Sequence, residues 1–130
     1  MSFRAPPPDV KSPLLLNKQL TVRPNLMVHR RPAKGTVELL CGEICAELVS
    51  SIPGMESLVT GHFKFADGVQ GMLVSFDFPA GGDARVRQLQ AMRLDVEQLT
   101  TLTLSIDATT LNDASYQRYL ASLASARHEN

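Results

Sequence analysis

The chain of 130 residues has no tryptophan, few aromatic residues and only two cysteines. Two cysteines are too few for the disulfide framework of a small secreted domain. No apolar run approaches the roughly 18 residues that a transmembrane helix needs, and the first residues lack the apolar stretch of a signal peptide. We therefore expect a cytoplasmic protein with one core, built from aliphatic side chains and methionine in place of aromatic rings.

The charge is balanced in total but unevenly distributed along the chain. Residues 1–35 contain seven basic residues and one acid, a net charge of +6, whereas residues 36–130 carry −6. Such asymmetry is typical of a basic arm attached to an acidic body. The sequence thus divides into a Pro-rich tail over 1–13, predicted to be disordered, a basic arm over 14–35 and a single α+β domain over 36–130.

The basic arm is the candidate contact element. Two segments rich in β-formers, Leu20–Val22 and Leu26–Val28, flank a turn signal at Arg23-Pro24-Asn25, which indicates a short edge hairpin or an extended arm. Through residues 18–34 the arm would bind an acidic protein partner or nucleic acid by charge. No aromatic residue follows Phe3 in the arm, so base stacking has no support. The predicted binding residues are Arg23, Arg30, Arg31 and Lys34.

Residues 36–52 have the clearest helical periodicity, with Thr36 as the predicted N-cap and Pro53-Gly54 ending the run. Both cysteines, Cys41 and Cys45, fall in the apolar stripe of this helix. Two thiols at this spacing supply at most two of the four ligands that zinc requires. We therefore interpret them as buried, reduced packing residues and predict no metal site.

The remaining elements alternate between strand and helix signals. A hairpin is predicted over 62–78 around Asp67-Gly68, a strand over 101–107, and a C-terminal helix capped by Asn112 or Asp113. Residues 83–99 are rich in helix formers and favour a helix. The alternation of Met92, Leu94 and Val96 with charged residues leaves a strand open as the alternative.

No sequence motif of an enzyme is present. The stretch PAGGDARVR matches neither phosphate-binding glycine motif and is read as a plain turn. The serines and histidines form no recognisable triad, and Glu43 and Glu47 are read as a solvated helix face. We predict no catalytic residue, no cofactor and no metal.

Residues 70–120 resemble the second half of a PilZ domain. The strings GMLVSFDFP, RVRQLQAMRL and LTLSID, followed by a helix, occur in that family's order. Ser51 and Gly54 match its second motif, but Val49 stands where the family has Asp or Asn, and Arg30 and Arg31 are adjacent where the family spaces them. The resemblance implies a small β-barrel that binds cyclic di-GMP, and it requires a strand over 37–50.

The sequence as a whole predicts an α+β fold, a small antiparallel sheet with packed helices. The function that it favours is a non-catalytic protein-interaction or regulatory domain that self-associates, most simply as a homodimer, and uses the basic arm. A degenerate PilZ-type module and a nucleic-acid-binding arm are the two alternatives.

Overall fold

The computed structural model describes residues 24–127. The tail over 1–13, the segment Leu20–Val22 and Arg23 lie outside these residues. The described part contains five strands and two helices, in the order β1 (Asn25–Pro32), α1 (Val37–Ser51), β2 (Glu56–Lys64), β3 (Gln70–Pro79), β4 (Arg85–Asp95), β5 (Gln98–Asp107) and α2 (Asp113–Ala124). The predicted α+β class is confirmed.

All five strands form one antiparallel sheet in the spatial order β1-β5-β4-β3-β2. Strands β2 to β5 follow one another as a meander, because short turns join antiparallel neighbours. Strand β1 adds to the free side of β5 and becomes one edge of the sheet. Helix α1 then carries the chain to β2, which forms the opposite edge.

The two helices cover opposite faces of the sheet, and each encloses its own apolar cluster. Because side chains alternate along a strand, Met72, Val74 and Phe76 of β3 point to one face, where they meet Val37, Leu40 and Cys41 of α1. The other face buries Leu89 and Ala91 of β4 and Leu102, Leu104 and Ile106 of β5 beneath Leu123 of α2.

Both helices begin at caps that the sequence predicts. The Thr36 hydroxyl accepts a hydrogen bond from the Leu39 amide at 3.1 Å. At α2, the Asn112 side chain accepts from the Ser115 amide at 2.9 Å, and the Ser115 hydroxyl accepts from the Asn112 amide. These bonds satisfy backbone donors that the first turn of a helix leaves without partners.

The favoured helix over residues 83–99 is wrong, since Arg85–Asp95 is strand β4. This strand lies in the middle of the sheet and is paired on both sides. Its five residues from Leu89 to Arg93 are all buried, so the strand shows no simple alternation of apolar and polar residues. Tertiary pairing therefore overrides the helix propensity of its Gln, Leu, Ala, Met and Arg side chains.

The turn from β4 to β5 explains why this hairpin gives no sequence signal. Asp95 pairs with Gln98, and the two residues between them, Val96 and Glu97, have φ values of 47° and 61°. Two-residue hairpin turns of this kind usually contain asparagine, aspartate or glycine. A β-branched residue at positive φ is an outlier, so Val96 holds a conformation that its own side chain disfavours.

The hairpin predicted over 62–78 is confirmed and extends further, from Glu56 to Pro79. Gly71, near the start of β3, pairs with Phe63 in regular register. A Cβ atom at Gly71 would collide with the Met92 carbonyl oxygen and the Phe65 ring. The glycine is therefore explained by the close approach of the Phe65 ring to the sheet.

A buried arginine joins three separate segments next to this hairpin. The Arg93 side chain is 3% exposed and binds Asp67 in the β2–β3 turn and Asp95 at the end of β4, each at 2.8 Å. It also donates to the Ala126 carbonyl just beyond α2 at 2.7 Å, and it lies 4.9 Å from the Phe65 ring centroid. These contacts raise the pKa of Arg93 and lower that of Asp67, mainly through the hydrogen bonds between guanidinium and carboxylates.

The strand over 37–50 that the PilZ resemblance requires is absent. Those residues belong to helix α1, and the five strands form an open sheet with β1 and β2 as its edges. The helical spacing of the apolar residues was therefore the correct interpretation, and the barrel alternative is wrong for this chain.

We expect Phe76→Ala to lower the free energy of unfolding by about 3–5 kcal/mol, because it deletes a fully buried aromatic side chain. Urea denaturation followed by circular dichroism measures the change. Val59→Ala on the exposed side of β2 is the control, with an expected loss below about 1 kcal/mol. A loss that small for Phe76→Ala would contradict the assigned core.

Asp67→Asn should destabilise the protein in a pH-dependent way. The folded-state pKa of Asp67 is lowered, so its stabilising contribution is complete above the unfolded pKa of about 3.9 and is lost as pH falls through the folded value. The stability difference between wild type and variant should thus be largest above about pH 5 and shrink in acid. Urea titrations between neutral pH and about pH 3 measure it.

Asp83→Asn is the matched control, because Asp83 lies exposed in the β3–β4 loop and is not among the ion pairs of the described residues. A difference for Asp67→Asn that stays constant with pH would show that the ion pair with Arg93 has no part in it.

Candidate interaction surface

The described part of the basic arm contains an edge strand of the sheet. Residues Asn25 to Pro32 pair with Ser105 to Gln98 of β5 without any shift in register. On the other side of β1 the described residues contain no further strand. Its outward amide and carbonyl groups therefore form a regular row that is suited to pairing with another strand.

The predicted binding residues do not converge on one face. Arg30 lies opposite Thr100 and Arg31 opposite Leu99, so the two guanidinium groups point to opposite faces of the sheet. Lys34 follows in the exposed loop between β1 and α1, next to Ala33, whose amide donates to the Glu97 carbonyl at 2.9 Å. Arg23 lies outside the described residues. The sequence cluster is thus distributed around one end of the edge strand.

The charge at this edge is uncompensated within the described part of the chain. No carboxylate there lies within ion-pair distance of Arg30, Arg31 or Lys34. The first acid after the arm is Glu38, which is 4.0 Å from His62. Within residues 24–127, the basic end of β1 therefore has no carboxylate that neutralises it.

Next to these charges, β1 exposes three consecutive apolar side chains. Leu26 is 51% exposed, Met27 61% and Val28 48%. Leu26 and Val28 lie on one face of the sheet and Met27 on the other, so the exposed apolar surface at this edge is divided between its two faces. The sequence showed these residues as strand formers, but their exposure depended on the position of β1 at the edge.

The opposite edge, β2, has the features that discourage pairing. Its register shifts between Glu56 and Val59, and Ser57 has a φ of 58°, which interrupts the row of backbone groups. A bulge of this kind protects an edge from association. The two edges of the sheet therefore differ, and β1 is the more suitable one for a partner.

The cysteines are packing residues of α1. Cys41 is buried at 2% exposure, and Cys45 is partly buried in the same cluster, so the expected burial is complete only for Cys41. Burial, with a smaller effect of the neighbouring Cys45, raises the pKa of Cys41 to about 11. Such a thiol is almost entirely protonated at neutral pH and is a poor nucleophile.

Two shallow clefts lie near the start of α2. One of about 270 Å³ is lined by Arg87, Leu111, Asp113 and Tyr116 among others, and one of about 240 Å³ lies beside Ile106 and Tyr119. Both are smaller than the usual 300–1,000 Å³ of ligand sites. Arg87 is held by Asp77 on the neighbouring strand in a bidentate ion pair, which leaves little of its charge for a ligand.

Residues 24–127 contain no group of three His, Cys, Asp or Glu side chains placed to hold a metal ion. Over the same range, no helix is long and apolar enough to cross a membrane. Neither a protein-family model nor a curated protein matches the chain.

A similar solved structure is the crystal structure of PA94 from Pseudomonas aeruginosa, a protein of unknown function described as a candidate regulator. It has a TM-score of 0.57 and 10% identity, and the match covers 86% of this chain and 89% of the other. At this identity the similarity shows a shared fold and no more.

The thiols should differ in their reactivity with a maleimide reagent at neutral pH. Cys45 should react first, because it is partly exposed, and Cys41 should react only as slowly as the protein opens. Mass spectrometry of native and urea-unfolded protein over time measures both rates, and the unfolded sample serves as the control. Equal rates for the two thiols in native protein would contradict the assigned burial of Cys41.

Proposed function

We propose that this protein is a non-catalytic, cytoplasmic interaction domain with a regulatory role, and that the basic arm over 14–35 is its contact element. The observation that carries the proposal is the β1 edge, where exposed apolar side chains adjoin Arg30, Arg31 and Lys34 without a carboxylate partner among the described residues. The partner that fits this combination is an acidic polypeptide in an extended conformation.

An extended peptide would add to the sheet beside β1 through main-chain hydrogen bonds, which is a common mode of peptide recognition. Its side chains would alternate between the two faces. Acidic groups on both faces of the peptide could then meet Arg30 on one side and Arg31 on the other. The division of the two arginines between faces favours such a strand over a partner that binds only one face.

Nucleic acid is the second class of partner that the basic arm could bind by charge. Among the residues described from Pro24 to Gly35 there is no aromatic side chain for base stacking. The exposed apolar group Leu26–Val28 also has no evident use against phosphates. Both features favour a polypeptide as the partner.

Replacing Arg30, Arg31 and Lys34 together by alanine should weaken binding of a fluorescent polyglutamate peptide by about tenfold at low salt, because exposed charge pairs contribute about 0.2–1 kcal/mol each. The difference should shrink as salt rises from about 50 to about 200 mM, since screening weakens exposed charges. Fluorescence anisotropy of the full-length protein measures both effects.

The control replaces three other exposed basic residues, Lys64, Arg118 and Arg127, which belong to β2, to α2 and to the segment after α2 and not to β1. Equal losses in the two triple variants would mean that the arm is not a specific contact element. A labelled DNA strand of about 20 nucleotides is measured in parallel, and a preference for DNA over the peptide would decide for nucleic acid.

A further inference from the structure

We propose that a second copy of this chain occupies the β1 edge, so that two β1 strands pair antiparallel about a two-fold axis through Val28 and the two sheets join. This inference goes beyond the proposed function, because a second copy paired at β1 would occupy the edge at which an acidic peptide is proposed to add, and the two would compete for it. It follows from the regularity of the edge, from the symmetry of its sequence and from the place of its apolar side chains.

The edge has the length and regularity that strand pairing needs. Strand β1 is held by β5 over all eight of its residues in continuous register, so its outward backbone groups are evenly presented. Eight residues exceed the usual strand length of about five or six. Edge β2 is interrupted by a bulge, whereas β1 is regular, so β1 is the edge at which a further strand can pair.

The prolines that bound β1 are placed symmetrically about Val28. Pro24 and Pro32 lie four residues to either side of Val28, and proline has no amide to donate to a ladder. In an antiparallel pair centred on Val28, each proline would face the other proline of the second copy. The pairing would then extend over the seven residues between the prolines and end at both of them.

The same register separates the basic groups of the two copies. Arg30 would lie opposite Leu26 of the second copy, and Arg31 opposite Asn25. The two Arg30 residues would be four positions apart along the ladder, about 13 Å at 3.3 Å per residue. This distance exceeds the screening length of about 8 Å at physiological ionic strength, so repulsion between the copies is small.

The centre of this register is where the apolar side chains are exposed. Val28 would meet Val28 of the second copy, and Leu26 would lie beside them on the same face. Met27 would cover the other face, opposite His29. Apolar pairs across strands stabilise a sheet, and the segment contains no acid that would direct it toward a basic partner. The central contact is thus apolar and self-complementary.

The decisive experiment is a symmetric cross-link in the full-length protein. Antiparallel neighbours have Cα atoms about 4.5–5.5 Å apart, within the range of disulfides. Val28→Cys should therefore form a covalent dimer under mild oxidation, with a disulfide joining position 28 of both copies in the peptide map. Val59→Cys, at a valine on edge β2 that is more exposed than Val28 (61% against 48%), is the control and should remain without a cross-link.

Light scattering provides the second measurement, without an engineered thiol. Wild type should have the mass of a dimer at micromolar concentration. Val28→Lys should lower the mass toward that of a monomer, because two lysines would face each other, and should leave the circular dichroism spectrum unchanged. Val59→Lys should remain a dimer. A monomeric wild type overturns the proposal, and this is the result expected if residues 1–23 or another partner occupy the edge. A cross-link at position 59 instead of 28 overturns it as well.

Binding of the polyglutamate peptide separates this inference from the proposed function. If wild type is a monomer but still binds polyglutamate through Arg30, Arg31 and Lys34, the edge contact between copies is wrong and the interaction function stands. If wild type is a dimer and Val28→Cys cross-links at position 28, but no arm-dependent peptide binding is found, the contact between copies stands and the proposed interaction function is wrong.

Discussion

The buried guanidinium of Arg93 is the constraint on which the arrangement of this fold depends. A charge with 3% of its side chain exposed is costly unless carboxylates and carbonyl oxygens surround it. Asp67, Asp95 and the Ala126 carbonyl come from the β2–β3 turn, the end of β4 and the segment after α2. These three segments have to converge at one end of the sheet for the charge to be satisfied.

That convergence holds α2 against the face of the sheet opposite α1, so that both faces of the sheet are covered. With α1 on one face and α2 on the other, the central strands have no exposed apolar surface left to offer a partner. Backbone groups without a strand partner among the described residues remain at the edges, where those of β1 and β2 face outward. The bulge at Ser57 interrupts this row at β2, whereas the row at β1 is regular.

The charged and reactive side chains of the described residues differ in how far they are engaged by neighbours. The thiols lie within the α1 cluster, the arginines of β4 are held by neighbouring carboxylates, and the clefts near α2 are small. The exposed arginines and lysine of the arm, in contrast, have no carboxylate partner in the described part of the chain. The proposed role in association is argued from this contrast, and the similarity to PA94 concerns the fold alone.

The sequence by itself determined the local elements. Thr36 and Asn112 start helices because their side chains satisfy free amides, Asp67-Gly68 forms a hairpin because glycine tolerates positive φ, and β5 alternates because one face is buried more deeply than the other. Only the tertiary structure decided that Arg85–Asp95 is a central strand and that Arg93 is buried. Only it separated Arg30 from Arg31 and exposed Leu26–Val28. The physical reason is that strand pairing and burial depend on neighbours distant in sequence, which no local propensity or periodicity records.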